Sequence, residues 1–398
     1  MVDKKQLELS ALLEVTQSIN ANMAEEALYK IFYFTCISNL KFQRLGLIIN
    51  EGEFVCKVTH GLEVTPSTIE SLQTLDLSQK IIALVGVNGI KECEKIDFVI
   101  PVTHKQKCLA IVLIGESDHG EKHDSRDFSF VQTLANVIMV AIENKRLARE
   151  TLKREALRKE MEIAQNVQSL LFPQKLPNNE HYELYSSYLP HTSVGGDYYD
   201  CIKLTGGKVL FCIADVSGKG VPAAILMSNF QAALRTLARK TEDLKDIIFE
   251  LNHLLISNSG GAHFVTFFAG IYDSDSRMLE YVNAGHNPPL LVNTNVPEAK
   301  ELKHGTVMLG AFDNLPFLNV GEEFVAPGSL LFCYTDGITE TQNNNSEEFG
   351  EERTEKLVLE YAKSDLSELH QQLIIALDTF KQDRDYGDDL TLLSCRIF

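Results

Sequence analysis

The stretch "VLFCIADVSGKG", residues 209–220, begins as an apolar run of strand-forming residues and ends that run on a carboxylate, Asp215. After the acid come Gly218 and Gly220, which let the backbone turn closely, and then Pro222, which suits the first turn of a helix. The stretch therefore predicts a strand, an acid at its end, a tight turn and a helix.

Three other acids occupy related positions beside strand-like runs. The run "LLFCYTDG" ends on Asp336, whereas Asp197 in "GGDYYD" and Asp388 in "YGDDLTLL" stand directly before such runs. A single acid next to glycine is most often a turn residue, because its side chain bonds nearby backbone amides. The four acids together carry more weight, since acids at the ends of adjacent strands can meet at one edge of a sheet without placing charge in the core.

Carboxylates that meet in this way repel one another unless a cation neutralises them. Oxygen ligands of this kind suit Mg²⁺ or Mn²⁺ rather than zinc, and the chain has neither an HExxH motif nor paired cysteines. We therefore expect a site for divalent metal ions that is built from Asp197, Asp215, Asp336 and Asp388.

The composition limits the possible classes of protein. The chain has 398 residues, 44% hydrophobic content and a formal net charge of −18 at pH 7. Its length favours two domains, and its negative charge argues against a general binder of nucleic acid or of anionic membranes. It has no signal-peptide pattern and no apolar stretch long enough to span a bilayer, and its eight cysteines form no CxxC pair. We expect a reduced, soluble, cytoplasmic protein.

The pattern along the chain predicts two domains joined by a helix. A long helical pattern without glycine or proline covers 128–172, and its apolar residues recur at alternating spacings of three and four. This spacing favours a dimeric coiled-coil stalk over a solvated connector helix. Beyond it, strand-like runs mostly follow one another and helical patterns come in pairs, which favours an α+β layered fold over a doubly wound parallel sheet. The predicted segments are 1–145, 146–172 and 173–398.

Five motifs follow one another in the C-terminal part of the chain: "SVGGDYYD", "ADVSGKG", "NAGHNPP", "YTDGITE" and "GDDLTLL". In order and spacing they resemble the SpoIIE-type branch of the PPM (type 2C) protein phosphatases, over essentially all of 180–398. The resemblance implies a β-sandwich flanked by helix pairs. It also implies hydrolysis of phosphoserine or phosphothreonine with two Mn²⁺ or Mg²⁺ ions, by direct attack of a metal-activated water and without a covalent phosphoenzyme.

The resemblance further implies a role for each acid. Asp215 matches the carboxylate that bridges the two metals, and the carbonyl of Val216 lies beside it. Asp336 and Asp388 match the ligands of one metal, and Asp197 matches the acid at the other, directly or through water. These residues form the predicted catalytic and metal-binding set.

Other positions depart from the family pattern or have two interpretations. Asp389 stands where many members carry asparagine and ranks below Asp388 as a ligand. For Asp200, a supporting role in a turn or behind the ligands is as good an explanation as a catalytic role. Ser217 stands where eukaryotic-type members carry a histidine that has been proposed as general acid, and no phosphate-clamping arginine precedes the first acid motif. His191 and His286 are better explained as structural residues than as catalytic ones.

The segment from Ile100 to Leu147 resembles the last strands and final helix of a GAF domain, and this resemblance extends over 1–145. The sequence does not identify a ligand for such a domain. A purely structural domain that mediates dimerisation is as good a hypothesis as a sensor domain. If the domain is a sensor, the helix over 128–172 would carry a rotation or a change of register to the phosphatase.

The family resemblance implies partners as well. The expected substrate is a phosphorylated STAS-domain antagonist of an anti-sigma factor in a bacterial partner-switching system, and the expected assembly is a homodimer through the GAF domain and linker helix. Two alternatives stay open: a related metallohydrolase of a small phosphorylated molecule, and a catalytically inactive scaffold that only docks partners. Retention of all four acids speaks against the scaffold.

Overall fold

The computed structural model of the chain describes residues 4–77, 81–84, 95–105, 107–115, 125–294, 296 and 298–398. They form two compact units, 1–156 and 157–398. Cys93, one of the eight cysteines of the sequence, lies outside the described residues. Of the helices in these ranges, none is both long enough and apolar enough to cross a membrane.

The first unit contains five strands and several helices. The strands are β1 (Arg44–Asn50), β2 (Phe54–His60), β3 (Ile82–Ala83), β4 (Phe98–His104) and β5 (Lys107–Gly115). The helices are α1 (Lys4–Asn20), α2 (Glu25–Phe34) with a π-helical turn (Thr35–Asn39) after it, α3 (Pro66–Gln73) and the first part of α4 (Ser125–Ser169). The strands pair antiparallel in the order β2-β1-β5-β4-β3. The four strands that the sequence predicts in this region are present as β1, β2, β4 and β5.

Two hydrophobic clusters cover the two faces of this sheet, because successive side chains of a strand point to opposite sides. In β1, Leu45 and Leu47 belong to the cluster that includes residues of α1, α2 and α4, whereas Ile48 belongs to the cluster that includes Leu72 of α3. Side chains of the buried strand β1 therefore alternate between the two clusters, and the first unit has a core on each side of its sheet.

The helix α4 is continuous over 45 residues and contributes to both units. Val131, Leu134 and Ile138 are buried in the core of the first unit. Further along the helix, Leu152 and Leu157 are exposed among charged residues. The chain thus has a helix where the sequence predicts one over 128–172, and the coiled coil and dimer expected of it stay predictions.

The second unit contains two sheets. The strands of the first sheet are β7 (Tyr198–Lys203), β8 (Lys208–Val216), β9 (Val265–Asp273), β10 (Met278–Ala284), β13 (Gly305–Thr306) and β14 (Gly321–Phe324). The strands of the second sheet are β6 (Tyr182–Leu189), β11 (Leu290–Asn293), β12 (Glu298–Glu301), β15 (Ser329–Tyr334) and β16 (Leu390–Ile397). Their orders are β13-β10-β9-β8-β7, with β14 also paired to β10, and β12-β11-β15-β16-β6. All of these pairings are antiparallel except that of β13 with β10.

The two sheets pack face to face and carry helices on their outer sides. Phe268 of β9 and Cys333 of β15 share one core, whereas Phe332 and Tyr334 of β15 belong to a separate cluster with α8 (Gly350–Tyr361) and α9 (Leu366–Lys381). The helices α5 (Val221–Leu237) and α6 (Leu244–Ser259) contact the first sheet. This mixed α/β architecture agrees with the layered α+β expectation.

The four acids that the sequence singles out lie next to the ends of four strands, β7, β8, β15 and β16. β7 begins and β8 ends at the same edge of the first sheet, because Tyr198 pairs with Ala214. β15 ends and β16 begins at the same edge of the second sheet, because Tyr334 pairs with Leu392. The antiparallel pairing therefore brings the loops that carry the acids together two by two.

Candidate active site

Asp215 lies one residue before the end of β8 and is half-buried. Burial first, and then the charges of Asp336 and Asp388, raise the pKa of Asp215 to about 7. A carboxylate responds to such charges when they lie close by in a poorly solvated place. The predicted bridging acid therefore shares its surroundings with two acids of the second sheet.

Asp197 precedes β7 and is buried, with 2% of its surface exposed. Its Oδ2 accepts a hydrogen bond from Thr335 Oγ1 at 2.9 Å and another from Thr391 Oγ1. Burial and then the charge of Asp215 raise the pKa of Asp197, while the two threonine hydroxyls oppose this rise. An acid of the first sheet is thus oriented by hydroxyl groups of the second sheet.

Asp336 is the first residue of the one-turn helix α7 (Asp336–Thr339) and is half-buried. Burial and then the charge of Asp388 raise the pKa of Asp336, whereas the Gly337 amide and the ammonium of Lys219 oppose the rise. Asp388 itself forms an ion pair with Lys219, whose Nζ lies 2.7 Å from Asp388 Oδ2. These two acids and one lysine form the more exposed side of the site.

Asp389 is buried and points to the glycine turn before Asp197. Its Oδ1 accepts from the backbone N–H of His191 at 2.8 Å, and its Oδ2 accepts from the backbone N–H of Gly196 at 3.0 Å. Burial is the largest of the effects that raise the pKa of Asp389, and these backbone bonds oppose it. The acid that the sequence ranks below its neighbour therefore shapes the turn that presents Asp197.

Gly196 permits a close approach between two segments of the site. A Cβ at this residue would lie 2.7 Å from the carbonyl oxygen of Val216 and 3.5 Å from Asp215 Oδ1. The backbone before Asp197 therefore rests against the end of β8, next to the carbonyl that the family resemblance implies as a ligand. The absence of a side chain is what lets the two segments touch.

The structure thus brings the four predicted acids into one electrostatically coupled group. Among the described residues, no three histidine, cysteine, aspartate or glutamate side chains are already arranged around a single point as a metal site. The chemistry of the donor set nevertheless fits a hard divalent cation, because the charges of neighbouring acids raise the pKa values of Asp197, Asp215 and Asp336, and a single lysine, Lys219, stands beside Asp336 and Asp388.

Asp200 does not belong to this group. Its carboxylate is fully buried, with Oδ2 2.5 Å from Tyr198 Oη and 2.6 Å from Arg235 Nε. Arg235 lies in the last turn of α5, so the pair ties that helix to β7. Of the two interpretations of Asp200, a structural role is the one that its contacts support.

The other polar residues singled out from the sequence also have structural partners. His286 is buried with its Nδ1 2.9 Å from Thr266 Oγ1, and burial lowers its pKa to about 4, so the ring is neutral. Ser217 Oγ accepts from the backbone N–H of Phe264 at 2.9 Å. The hydroxyl groups of Thr335 and Thr391 were not foreseen, because no local pattern shows that residues of two strands contact a distant acid.

Residues 205–398 match the family model described as Stage II sporulation protein E (SpoIIE). This part of the chain is a SpoIIE-family domain. The SpoIIE resemblance carried by the five motifs is thereby confirmed, and it lies within the second unit of the structure.

Curated relatives of the chain include two phosphoserine phosphatases. Phosphoserine phosphatase RsbU of Bacillus subtilis is 28% identical over 243 residues, which cover 61% of this chain and 71% of RsbU. Protein IcfG of Synechocystis sp. is 26% identical over 332 residues, covering 74% of this chain and 51% of IcfG. Phosphoserine phosphatase RsbP of Bacillus subtilis is 22% identical, and the chain spans 56% of its length.

Among solved structures, the SiaA-PP2C domain of Pseudomonas aeruginosa superposes with a TM-score of 0.55 and 23% identity. The superposition covers 62% of this chain and 99% of that domain. It shows that the SpoIIE domain described above has a PP2C-like fold.

Proposed function

We propose that this chain is a metal-dependent serine/threonine protein phosphatase that hydrolyses phosphoserine or phosphothreonine on a signalling partner protein. The observation that supports the proposal is that Asp197, Asp215, Asp336 and Asp388 lie at neighbouring strand ends, where the charges of neighbouring acids raise the pKa values of the first three. RsbU and RsbP, to which the chain is similar, are named phosphoserine phosphatases.

The residues that would hold two Mn²⁺ or Mg²⁺ ions are these four aspartates and the carbonyl of Val216. Bound divalent ions lower the pKa of water toward neutrality and offset negative charge on phosphoryl oxygens. Thr335 and Thr391 fix the orientation of Asp197 by donating to one of its oxygens.

Among the residues that the structure describes, the cysteines in the strands leading to the site offer no competing nucleophile. Cys212 and Cys333 lie in the strands that lead to Asp215 and Asp336, and both are buried. Burial raises the pKa of each thiol, which disfavours the reactive thiolate. Direct attack by water therefore remains the proposed route, without a covalent phosphoenzyme.

The finer parts of the proposal concern partners and regulation. A phosphorylated STAS-domain protein is the proposed substrate, a GAF-like first unit is the proposed regulator, and a homodimer through that unit and α4 is the proposed assembly. A cytoplasmic location accords with a phosphatase that acts on signalling proteins of this kind. The following experiment distinguishes the proposed protein phosphatase from the two alternatives, a small-molecule metallohydrolase and an inactive scaffold.

The full-length chain is assayed with phosphoserine and phosphothreonine peptides, nucleotides and p-nitrophenyl phosphate, each with Mn²⁺, with Mg²⁺ and with a chelator. We expect metal-dependent release of phosphate from the peptides. Asp215→Asn and Asp336→Asn should each lower this rate by about 100-fold or more. The matched control is Asp275→Asn, an exposed turn acid of the same domain.

Stability provides a second readout. Burial and then the charges of its acidic neighbours raise the pKa of Asp215. Because Asp215→Asn removes both the buried charge and the repulsion, we expect its melting temperature without metal to equal or exceed that of the wild type. Mn²⁺ should raise the melting temperature of the wild type but not of this variant. Undiminished turnover in Asp215→Asn refutes the ligand assignment, nucleotide turnover alone favours the small-molecule enzyme, and no turnover at all favours the scaffold.

A further inference from the structure

Lys219 lies in the turn between β8 and α5, close to the acids of the proposed metal site. Its Nζ lies 2.7 Å from Asp388 Oδ2 and donates to the carbonyl oxygen of Gly387 at 2.6 Å. Its side chain is 56% exposed, so the ammonium group remains open to solvent on its other side. The ammonium group of Lys219 is thus held by two residues at the edge of the cluster of aspartates and is not enclosed by them.

The exposed side of Lys219 faces a cavity of about 290 Å³. Gly337 and Asp388 also line this cavity, which therefore adjoins two of the loops that carry the proposed metal ligands. Arg384 lines it as well, but its guanidinium donates to Gln342 Oε1 and Ser346 Oγ and so holds the cavity wall. The cavity thus adjoins the proposed metal ligands, and Lys219 is one of its lining residues, beside the carboxylates of Glu340, Asp385 and Asp388.

A phosphoryl group approaching these acids meets a cluster of negative charge. At separations of a few ångströms, like charges repel more strongly in a partly desolvated place than in water. The sequence contains no phosphate-clamping arginine before Asp197 that would offset this repulsion. A positive group near the acids is therefore needed to hold the substrate, besides any metal.

The start of α5 adds to the positive potential around Lys219. The helix begins at Val221, and its N-cap, Gly220, makes no side-chain capping hydrogen bond. The first backbone N–H groups of a helix carry a partial positive charge and favour anions. The ammonium of Lys219 and this helix end lie two residues apart in the chain and act in the same direction.

We propose that Lys219 binds the phosphoryl group of the substrate. This inference rests on the proposed phosphatase function and assigns to Lys219 the substrate-holding role for which the sequence has no arginine in the expected place. It differs from a purely structural role, in which Lys219 would only tie the loop of Asp388 to the turn after β8.

The test compares Lys219→Gln and Lys219→Arg with the wild type in the full-length chain. Lys208→Gln is the matched control, because Lys208 also pairs with an acid, Glu242, at 3.1 Å but lies at the opposite end of β8. Three quantities are measured: kcat and KM for a phosphoserine peptide with saturating Mn²⁺, the dissociation constant of inorganic phosphate by calorimetry with Mn²⁺, and the dissociation constant of Mn²⁺ alone.

For Lys219→Gln we expect KM and the phosphate dissociation constant to rise about tenfold, which corresponds to about 1.4 kcal/mol, with a smaller change in kcat. The affinity for Mn²⁺ should stay the same or increase, because a competing positive charge has been removed. Lys219→Arg should recover most of the phosphate affinity, and Lys208→Gln should behave as the wild type.

Two results overturn the inference: unchanged KM and phosphate affinity in Lys219→Gln, or weaker Mn²⁺ binding with unchanged phosphate affinity, which is the signature of a structural tie. Failure of the proposed function appears separately, as a wild type that hydrolyses no phosphopeptide. In that case the phosphate calorimetry still decides the role of Lys219 as an anion-binding residue.

Discussion

The backbone N–H of Gly196 donates to the carboxylate of Asp389 at 3.0 Å, across 193 positions of the sequence. This bond joins the turn before β7, in the first sheet, to the loop before β16, in the second. Because Asp197 follows Gly196 directly, the orientation of a proposed metal ligand depends on an acid that is not in the predicted ligand set.

The first prediction concerns Gly195, which touches the same carboxylate. A Cβ at Gly195 would lie 1.8 Å from Asp389 Oδ2, far inside van der Waals contact. We expect Gly195→Ala to lower the free energy of unfolding by about 2 kcal/mol or more, and to reduce turnover as the turn shifts. Gly387→Ala is the control, because a Cβ there has no atom within 4 Å. Equal stability of the two variants in urea would contradict this account of the turn.

The second prediction concerns the buried pair of Asp200 and Arg235. Asp200→Asn leaves the guanidinium of Arg235 without its charged partner, although Arg235 is itself 41% exposed. We expect a loss of about 2 kcal/mol in the free energy of unfolding, and about 0 to 1 kcal/mol for the control Glu242→Gln on the surface. The affinity for Mn²⁺ should not change. A large loss of Mn²⁺ binding in folded Asp200→Asn would instead show that Asp200 contributes to the metal site.

The third prediction concerns Asn287, whose Nδ2 lies 3.2 Å from Thr339 Oγ1, while Thr339 Oγ1 donates to the carbonyl oxygen of Asp336 at 3.1 Å. The "NAGHNPP" motif thus contacts the short helix that begins with Asp336. We expect Asn287→Ala to weaken Mn²⁺ binding several-fold, and to cost about 1 kcal/mol of stability.

The control for Asn287 is Asn178→Ala. Asn178 bonds both backbone groups of Leu184, in the strand β6 and away from the acids. It should lose a similar amount of stability with no change in Mn²⁺ affinity, as measured by calorimetry. If the two variants bind Mn²⁺ equally well, Asn287 serves stability alone.

The fourth prediction concerns the pH dependence of stability. His370 is buried, with its ring nitrogens 2.9 Å from Ser187 Oγ and 2.8 Å from Ser394 Oγ, and burial lowers its pKa to about 3. The unfolded chain protonates this histidine below about pH 6.5, whereas the folded chain does not. The stability that the neutral ring contributes is therefore complete above about pH 6.5 and is lost as the pH falls toward 3. Between about pH 7 and pH 5 the loss should be about 2 kcal/mol.

The variant His370→Gln isolates this effect, because glutamine is polar but does not titrate. Urea unfolding of both proteins at the two pH values measures the difference. We expect the variant to be less stable than the wild type at pH 7 and this gap to narrow at pH 5. Parallel losses of stability in the two proteins would show that His370 takes up its proton in the folded state.

The strands and helices that form the cores could be predicted because their burial patterns are regular. The runs that became β7, β8, β9, β10, β15 and β16 have uninterrupted apolar or alternating residues, and the paired helical patterns beyond the linker correspond to α5 with α6 and α8 with α9. The short strands β11 to β14 were missed, since two to four residues give too little pattern to distinguish a strand from a loop.

Which side of a helix is buried was harder to predict. The segment "LELSALLEVTQSIN" has helical spacing, and α1 is a helix, but Leu9 is 70% exposed and Leu13 58% exposed, while Ala11 and Val15 are buried. Leucines on several sides of a helix leave the buried face undetermined until its neighbours are known.

The contacts within the candidate site could likewise be predicted only in part from the sequence. Four acids could be placed at strand ends from sequence, but the donors to Asp197 and the pair of Lys219 with Asp388 join residues more than a hundred positions apart. Such contacts depend on how the two sheets lie against each other, which no local pattern records.

The division of the acids between the two layers has a mechanical consequence. Asp197 and Asp215 lie at strand ends of the first sheet, and Asp336 and Asp388 lie next to strand ends of the second. A slip of a single residue spacing along a strand, about 3.3 Å, is enough to misalign one pair with the other. The proposed metal site therefore depends on how the two sheets are aligned, and we expect a displacement of the helices on either outer surface to separate its acids without any contact with an aspartate.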